Sequence, residues 1–253
     1  GIASSRKHPL MLAPLLPSDS FYIANQKMNL VAKYIEIFCV RRSINFRNFG
    51  ASSIRVTMHT LVKDLRDKSL EDLQVLLQGK LDNMDEKWDG FGRFRLHGQN
   101  KWFVKYLLAR LSGYVDELAG ETTNFVNYFH KSQAKPFEIE HIWSQHFVEH
   151  QDEFDQLHDF EDYRNRLGGL VLLQRGTNQS YGDKPYAIKQ EHYIKENLLV
   201  KSLCPLAYKN NPNFKKLISE HGLPFEAHDD FMKADLETRQ ALYQAICEKI
   251  WVL

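Results

Sequence analysis

Two short stretches read as β in a chain whose periodicity is otherwise helical, and they lie close together. Phe137 to Trp143 alternates apolar and polar residues (Phe, Glu, Ile, Glu, His, Ile, Trp), the period of a half-buried strand. Leu167-Gly-Gly-Leu-Val-Leu-Leu173 opens as a turn and continues as a second short apolar strand. A charged segment, Val148 to Glu161, separates them. Asn178-Gln-Ser-Tyr-Gly-Asp183 then reads as a loop, and helical character resumes from Pro185 through Leu203 in one or two helices. The expected fold is therefore mainly α, with a small α+β unit of strand, long loop, strand, loop and helix embedded in it.

The helical signal is clearest before the strands. Leu30, Val31, Tyr34, Ile35 and Phe38 repeat at three-to-four spacing, as do Leu61, Leu65, Leu73, Leu76 and Leu77. Ser69-Leu-Glu-Asp reads as a cap for a helix running towards Leu81. Residues 82–98, with Gly90, Gly92 and Gly98, read as a connection, and Lys101 to Leu118 as another amphipathic helix. The 253 residues show no repeat and suffice for one large domain or two modest ones. We divide them into a helical connecting scaffold, 1–130, and a second part, 131–253, that carries the strands and C-terminal helices. No apolar run approaches the roughly 18 residues that span a bilayer, and no signal peptide is evident, so a cytoplasmic location without a membrane partner is expected. Cys39, Cys204 and Cys247 are scattered without zinc-ligand spacing and read as buried thiols.

A net charge of +1 argues against a non-specific nucleic-acid coat protein. The charge is uneven, however. Residues 1–130 hold 18 basic against 13 acidic side chains, whereas 131–201 hold 9 against 12, with five histidines. That His- and carboxylate-rich segment is where a metal or acid–base site is expected.

Its sharpest constellation is Glu138-Ile-Glu140-His141-Ile-Trp. A carboxylate directly before a histidine at a strand end can divide metal holding and proton abstraction between neighbours. Imidazole, with an ordinary pKa near ~6.5, suits a general base near neutral pH. Glu140 offers a hard oxygen for Mg²⁺ or Mn²⁺. Asn178, 37 residues after His141, supplies a neutral oxygen beyond the second strand. This order is the layout of a ββα-metal nuclease motif, although the Glu-His pair alone is equally compatible with a structural histidine. Arg164 and Arg166 flank the intervening turn and Lys184 follows it, placed to meet phosphates.

Three blocks then make a resemblance specific: Phe137-Glu-Ile-Glu-His-Ile-Trp, Arg164-Asn-Arg-Leu-Gly-Gly-Leu-Val-Leu-Leu, and Asn178-Gln-Ser-Tyr-Gly-Asp-Lys-Pro-Tyr-Ala-Ile-Lys189. Together they resemble an HNH endonuclease domain. More closely, they resemble the C-terminal domain of GmrSD-type modification-dependent restriction enzymes, and within these the SspE-like phosphorothioate-sensing nickases. The resemblance implies a nickase of double-stranded phage or foreign DNA in bacterial defence. It makes His141 the base that deprotonates water, Glu140 and Asn178 the holders of Mg²⁺ or Mn²⁺, and Lys189 the closing lysine on a phosphate. Many relatives have Gly-Asn-Leu where this chain has Gly168-Gly169-Leu170; Asn165 is then either the substitute for the missing asparagine or a simple turn cap. The resemblance also implies an N-terminal sensing domain in the same protein, and a start at Gly1 without Met suits a fragment lacking it.

Two rivals come from other classes. His146-Phe-Val-Glu149-His150 is an H-x-x-E-H arrangement that, on a helix, would turn two histidines to one side for Zn²⁺, as in a peptidase. Against this, His146 reads as an outer partner of the nuclease site or a DNA contact, and His150 and His158 as surface residues. The second rival is a non-catalytic DNA-binding module whose motif has decayed, for which Gly169 is the hint.

Overall fold

A computed structural model describes residues 4–47, 51–130, 135–176, 183–209 and 211–253. It divides into two compact units: Gly1–Phe91 with Trp251–Leu253, and Gly92–Ile250.

The first unit is helical. Ser4–Leu12 (α1), Phe21–Ile44 (α2), Ala51–Leu65 (α3) and Leu70–Asp82 (α4) pack through buried apolar faces that include Val31, Ile35, Leu61, Leu65, Leu73 and Leu77. Capping sets two starts: the Ser20 and Ser69 side chains accept hydrogen bonds from the amides of Ile23 and Asp72. The expected helix towards Leu81 is thus present, with Ser69 as its cap.

The second unit contains Lys101–Leu118 (α5), Phe125–Phe129 (α6), the strands Phe137–His141 (β1) and Leu170–Gln174 (β2), and Leu157–Arg164 (α7) between them. Beyond the strands follow Tyr186–Tyr193 (α8), Leu198–Lys201 (α9), Pro212–His221 (α10) and Lys233–Ile250 (α11). β1 and β2 pair antiparallel from Phe137↔Gln174 to His141↔Leu170. The chain is accordingly mainly α with a small two-stranded sheet. The period of two sorts the sheet into faces. Glu138 and Glu140 lie opposite Leu173 and Val171 on the face whose apolar members join the core with Trp143, Phe160, Tyr186, Tyr193 and Leu236. Phe137, Ile139 and His141 share the other face.

The units divide after Phe91, so 92–130, grouped by sequence with the scaffold, belongs with the strands. The cause is packing: α5 lies against β2, α9 and α11, and buries Val104, Leu107, Leu108, Leu111 and Val115. Among the described residues no helix is long and apolar enough to cross a membrane.

Candidate active site

His141 is the last residue of β1, and its ring meets the end of α7. Asn165, the C-cap residue there, donates from Nδ2 to the Glu161 carbonyl (2.7 Å), which turns its Oδ1 towards His141 Nε2 at 3.0 Å. An amide oxygen only accepts, so Nε2 must carry the ring proton and Nδ1 is left with its lone pair. Burial pushes the His141 pKa down to about 4; the Arg164, Lys189 and Lys101 charges act the same way, and the Asn165 bond opposes them. The ring is therefore neutral near pH 7, in the state that accepts a proton. Asn165 is in turn held from outside: Leu96 N–H donates to its carbonyl (2.7 Å), and Arg95 bridges Arg166.

Glu140 points the other way, onto the core face, and is 5% exposed. A carboxylate placed there needs a partner. Lys189 of α8 supplies it with no exposed surface of its own: its Nζ lies 2.6 Å from Glu140 Oε1 and 2.7 Å from the His141 carbonyl. Burial raises the Glu140 pKa and lowers that of Lys189, each opposed by the other's charge. Lys189, expected on a phosphate, is thus seated inside, where one ammonium positions both neighbours of the Glu-His pair.

Arg164 donates from Nε to the Ser144 carbonyl (2.7 Å) and the Trp143 carbonyl (3.3 Å), tying α7 to the loop that leaves β1. Its charge acts on both Glu140 and His141. Arg166 turns elsewhere, 3.6 Å above the Tyr163 ring and 3.8 Å from Asp162. Lys184 is exposed, and Asn178 lies outside the described residues. Asp183 carries no sequence expectation of its own, yet it accepts from Gln145 N–H (3.1 Å) and faces His146 Nε2 (3.1 Å). Its place inside the third sequence block is the only signal that could have found it.

The H-x-x-E-H stretch does not form the helix that a zinc peptidase needs. Phe147–His150 is a single 3-10 turn, and the two histidines have separate carboxylates. His146 pairs with Glu149 and Asp183, whereas His150 pairs with Glu153 (3.1 Å). His150 is buried rather than on the surface, because its ring is packed by Trp143 and Phe160. His158 is exposed, as expected.

Among the described residues no group of three His, Cys, Asp or Glu side chains gathers as a metal cage. A hard cation such as Mg²⁺ does not require one, because it keeps several waters and binds through one or two carboxylates. The Glu140 carboxylate as placed here is not open to such a cation: it is buried on the core face, opposite to His141, and the buried Lys189 ammonium already holds Oε1.

The family model for GmrSD restriction endonucleases, C-terminal domain, matches residues 64–244. No curated protein and no solved structure gives a significant match. The matched span contains β1, β2, His141, Asn165 and Lys189, and by that match the chain belongs to the family of GmrSD restriction endonuclease C-terminal domains.

Proposed function

We propose that the chain is the cutting part of a bacterial defence enzyme, a Mg²⁺- or Mn²⁺-dependent HNH-type nickase acting in the cytoplasm on double-stranded phage or foreign DNA. The observation that carries this reading is the fixed tautomer of His141, with Nε2 committed to Asn165 and Nδ1 available. In the reaction, Nδ1 takes a proton from the water that attacks phosphorus. Asn165 holds the ring in line and accepts the Nε2 hydrogen bond as the imidazolium forms. Lys189 keeps the Glu140 carboxylate and the His141 backbone in register, and Arg164, whose charge reaches His141, is the cation to meet a phosphoryl oxygen. The family resemblance assigns the cation to Glu140 and Asn178, which requires the Glu140 carboxylate to exchange its Lys189 ion pair for the metal; such a cation would relieve charge on the phosphoryl oxygens and the leaving group. One base with one metal ion cuts one strand, so a nick is the expected product. Arg166 and Lys184 remain candidates for contacts further along the DNA.

Within the family we place the chain nearest the phosphorothioate-sensing nickases, with recognition of modified DNA assigned to a sensing domain of the same protein. The test is conversion of supercoiled plasmid to open circle with Mg²⁺ or Mn²⁺, on phosphorothioated and unmodified plasmid side by side. His141→Ala should lose at least about a hundredfold in rate, in the range of a positioned acid–base group, and Asn178→Ala should lose activity and need more metal to restore it. Asn165→Ala should lose about tenfold or more with its fold intact by circular dichroism. Variants that nick as fast as the parent would refute the assignment.

A further inference from the structure

A groove of about 660 Å³ lies beside β1, between Gly98–Lys105 on one side and Pro136–Ile139 on the other, with Arg175 at the end of β2 closing it. Phe137 and Ile139 line it, and they share their face of the strand with His141. The groove therefore lies alongside β1, upstream of the proposed base, and takes residues from both faces of the strand. Ile139 is two residues from His141 and Phe137 four, which places the groove roughly 7 to 13 Å from the ring at a strand rise of about 3.3 Å per residue.

The lining is basic and aromatic. Lys101, Lys105 and Arg175 stand against one carboxylate, Glu138, which Arg175 engages at 2.8 Å. Lys101 and Lys105 are one helical turn apart on α5, so both address the same side. Between them in sequence stands Trp102, a large indole that is 59% exposed. It is not loosely held. Its ring stacks on Tyr106 (6.1 Å between centroids, 8° between planes) and meets Phe129 edge-on (5.2 Å, 77°). A rigid, exposed indole flanked by two lysines is the pattern that receives an unpaired base and its backbone. Duplex DNA keeps its bases paired and stacked, and would offer such a ring only sugar and phosphate.

We propose that this groove binds an unpaired stretch of the strand being cut, with a base stacked on Trp102 and the adjoining phosphates on Lys101 and Lys105. The assignment rests on the nuclease reading of His141. It adds that the chain engages its DNA locally opened, about two to four nucleotides from the scissile phosphate at ~3.4 Å per nucleotide.

The test uses the 253-residue chain, EDTA to suppress cutting, low salt, and a fluorescein-labelled 20-mer of deoxythymidine beside a 20-base-pair duplex. The parent should bind the single strand more tightly than the duplex and lose indole fluorescence on binding. Trp102→Ala should abolish most of that quench and weaken single-strand binding about tenfold, and Trp102→Phe should restore part of the affinity. Lys101→Ala with Lys105→Ala should reduce the salt slope of log K by about 1.4. If the variants match the parent in affinity, quench and slope while the parent still nicks plasmid, the groove is not the strand site. Binding of the duplex alone would exclude the groove equally. A parent that neither binds any DNA nor nicks with either metal overturns the nuclease reading together with the groove.

Discussion

Glu140 and His141 are neighbours with opposite surroundings, because consecutive side chains of a strand leave by opposite faces. His141 comes out towards Asn165, while Glu140 goes in towards the core and Lys189. Away from the site, another buried carboxylate has a measurable consequence. Asp116 of α5 is 3% exposed and accepts a hydrogen bond from Tyr128. Burial raises its pKa to about 6, with the Tyr128 bond opposing the rise, and burial likewise raises the Tyr128 pKa. A carboxyl held above its ordinary value stabilises the fold fully below the unfolded pKa of 3.8, and that contribution is lost as pH rises through about 6. A rise of this size corresponds to about 3 kcal/mol. In urea titrations from pH 4 to 7 the parent should therefore lose stability relative to Asp116→Asn, by an amount of this order. A parent-minus-variant difference that stays constant across the window would show that Asp116 ionises normally.

At the scale of elements, the glycine pair before β2 is explained by a helix far away in sequence. A Cβ on Gly168 would lie 2.6 Å from the Gln240 amide nitrogen and 2.6 Å from the Leu236 carbonyl, both backbone atoms of α11. The Gly168 amide donates to the Gln240 side chain, and the Tyr243 hydroxyl donates to the Leu170 carbonyl (3.0 Å), so α11 is fastened to the start of β2. Gly168→Ala must push the helix off the strand, and overpacking of this kind costs about 1–3 kcal/mol. Denaturant midpoints check it: a variant within about 0.5 kcal/mol of the parent would mean that α11 shifts freely. At Gly169 the contacts of a Cβ are looser, 3.1 Å from the Arg164 carbonyl and 3.1 Å from the Leu236 side chain, so a Cβ asks its neighbours to give only a few tenths of an ångström. Asn165, four residues before Gly169, bonds the His141 ring and also caps α7. Local pattern carried much of this: alternation marked β1, three-to-four spacing marked α5, and the Glu-His pair drew attention to the candidate site. What sequence did not disclose is non-local. Gln240 is 72 residues from Gly168, and the 94–96 segment that clamps Asn165 looked like plain connection. Lys189 read as a phosphate ligand because nothing in its neighbourhood announces that Glu140, 49 residues earlier, faces the core.

At the scale of the molecule, charge and site are separated. Unit 1 carries 13 basic and 10 acidic side chains, whereas unit 2, which holds His141, carries 20 basic and 22 acidic ones. A site-bearing unit with a slight negative excess attracts DNA weakly, because the sequence-independent part of such binding comes from neutralised phosphates. The cations that remain useful are the few held beside the site: Arg164, and Lys101 and Lys105 along the groove. Non-specific binding typically has Kd of about 10⁻⁴–10⁻⁶ M at physiological salt, and a chain with so few phosphate contacts should fall at the weak end or beyond it. Fluorescence anisotropy with an unmodified duplex in EDTA should therefore give a Kd no tighter than roughly 10⁻⁴ M at about 150 mM salt. The slope of log K against log salt should be shallow, about −2 to −3, for two or three neutralised phosphates. Submicromolar affinity, or a slope near about −6, would mean that a much larger basic surface takes part than the site and its groove. The weak, shallow outcome would instead assign the choice of DNA to whatever delivers it, with the chain acting only once a strand lies along β1.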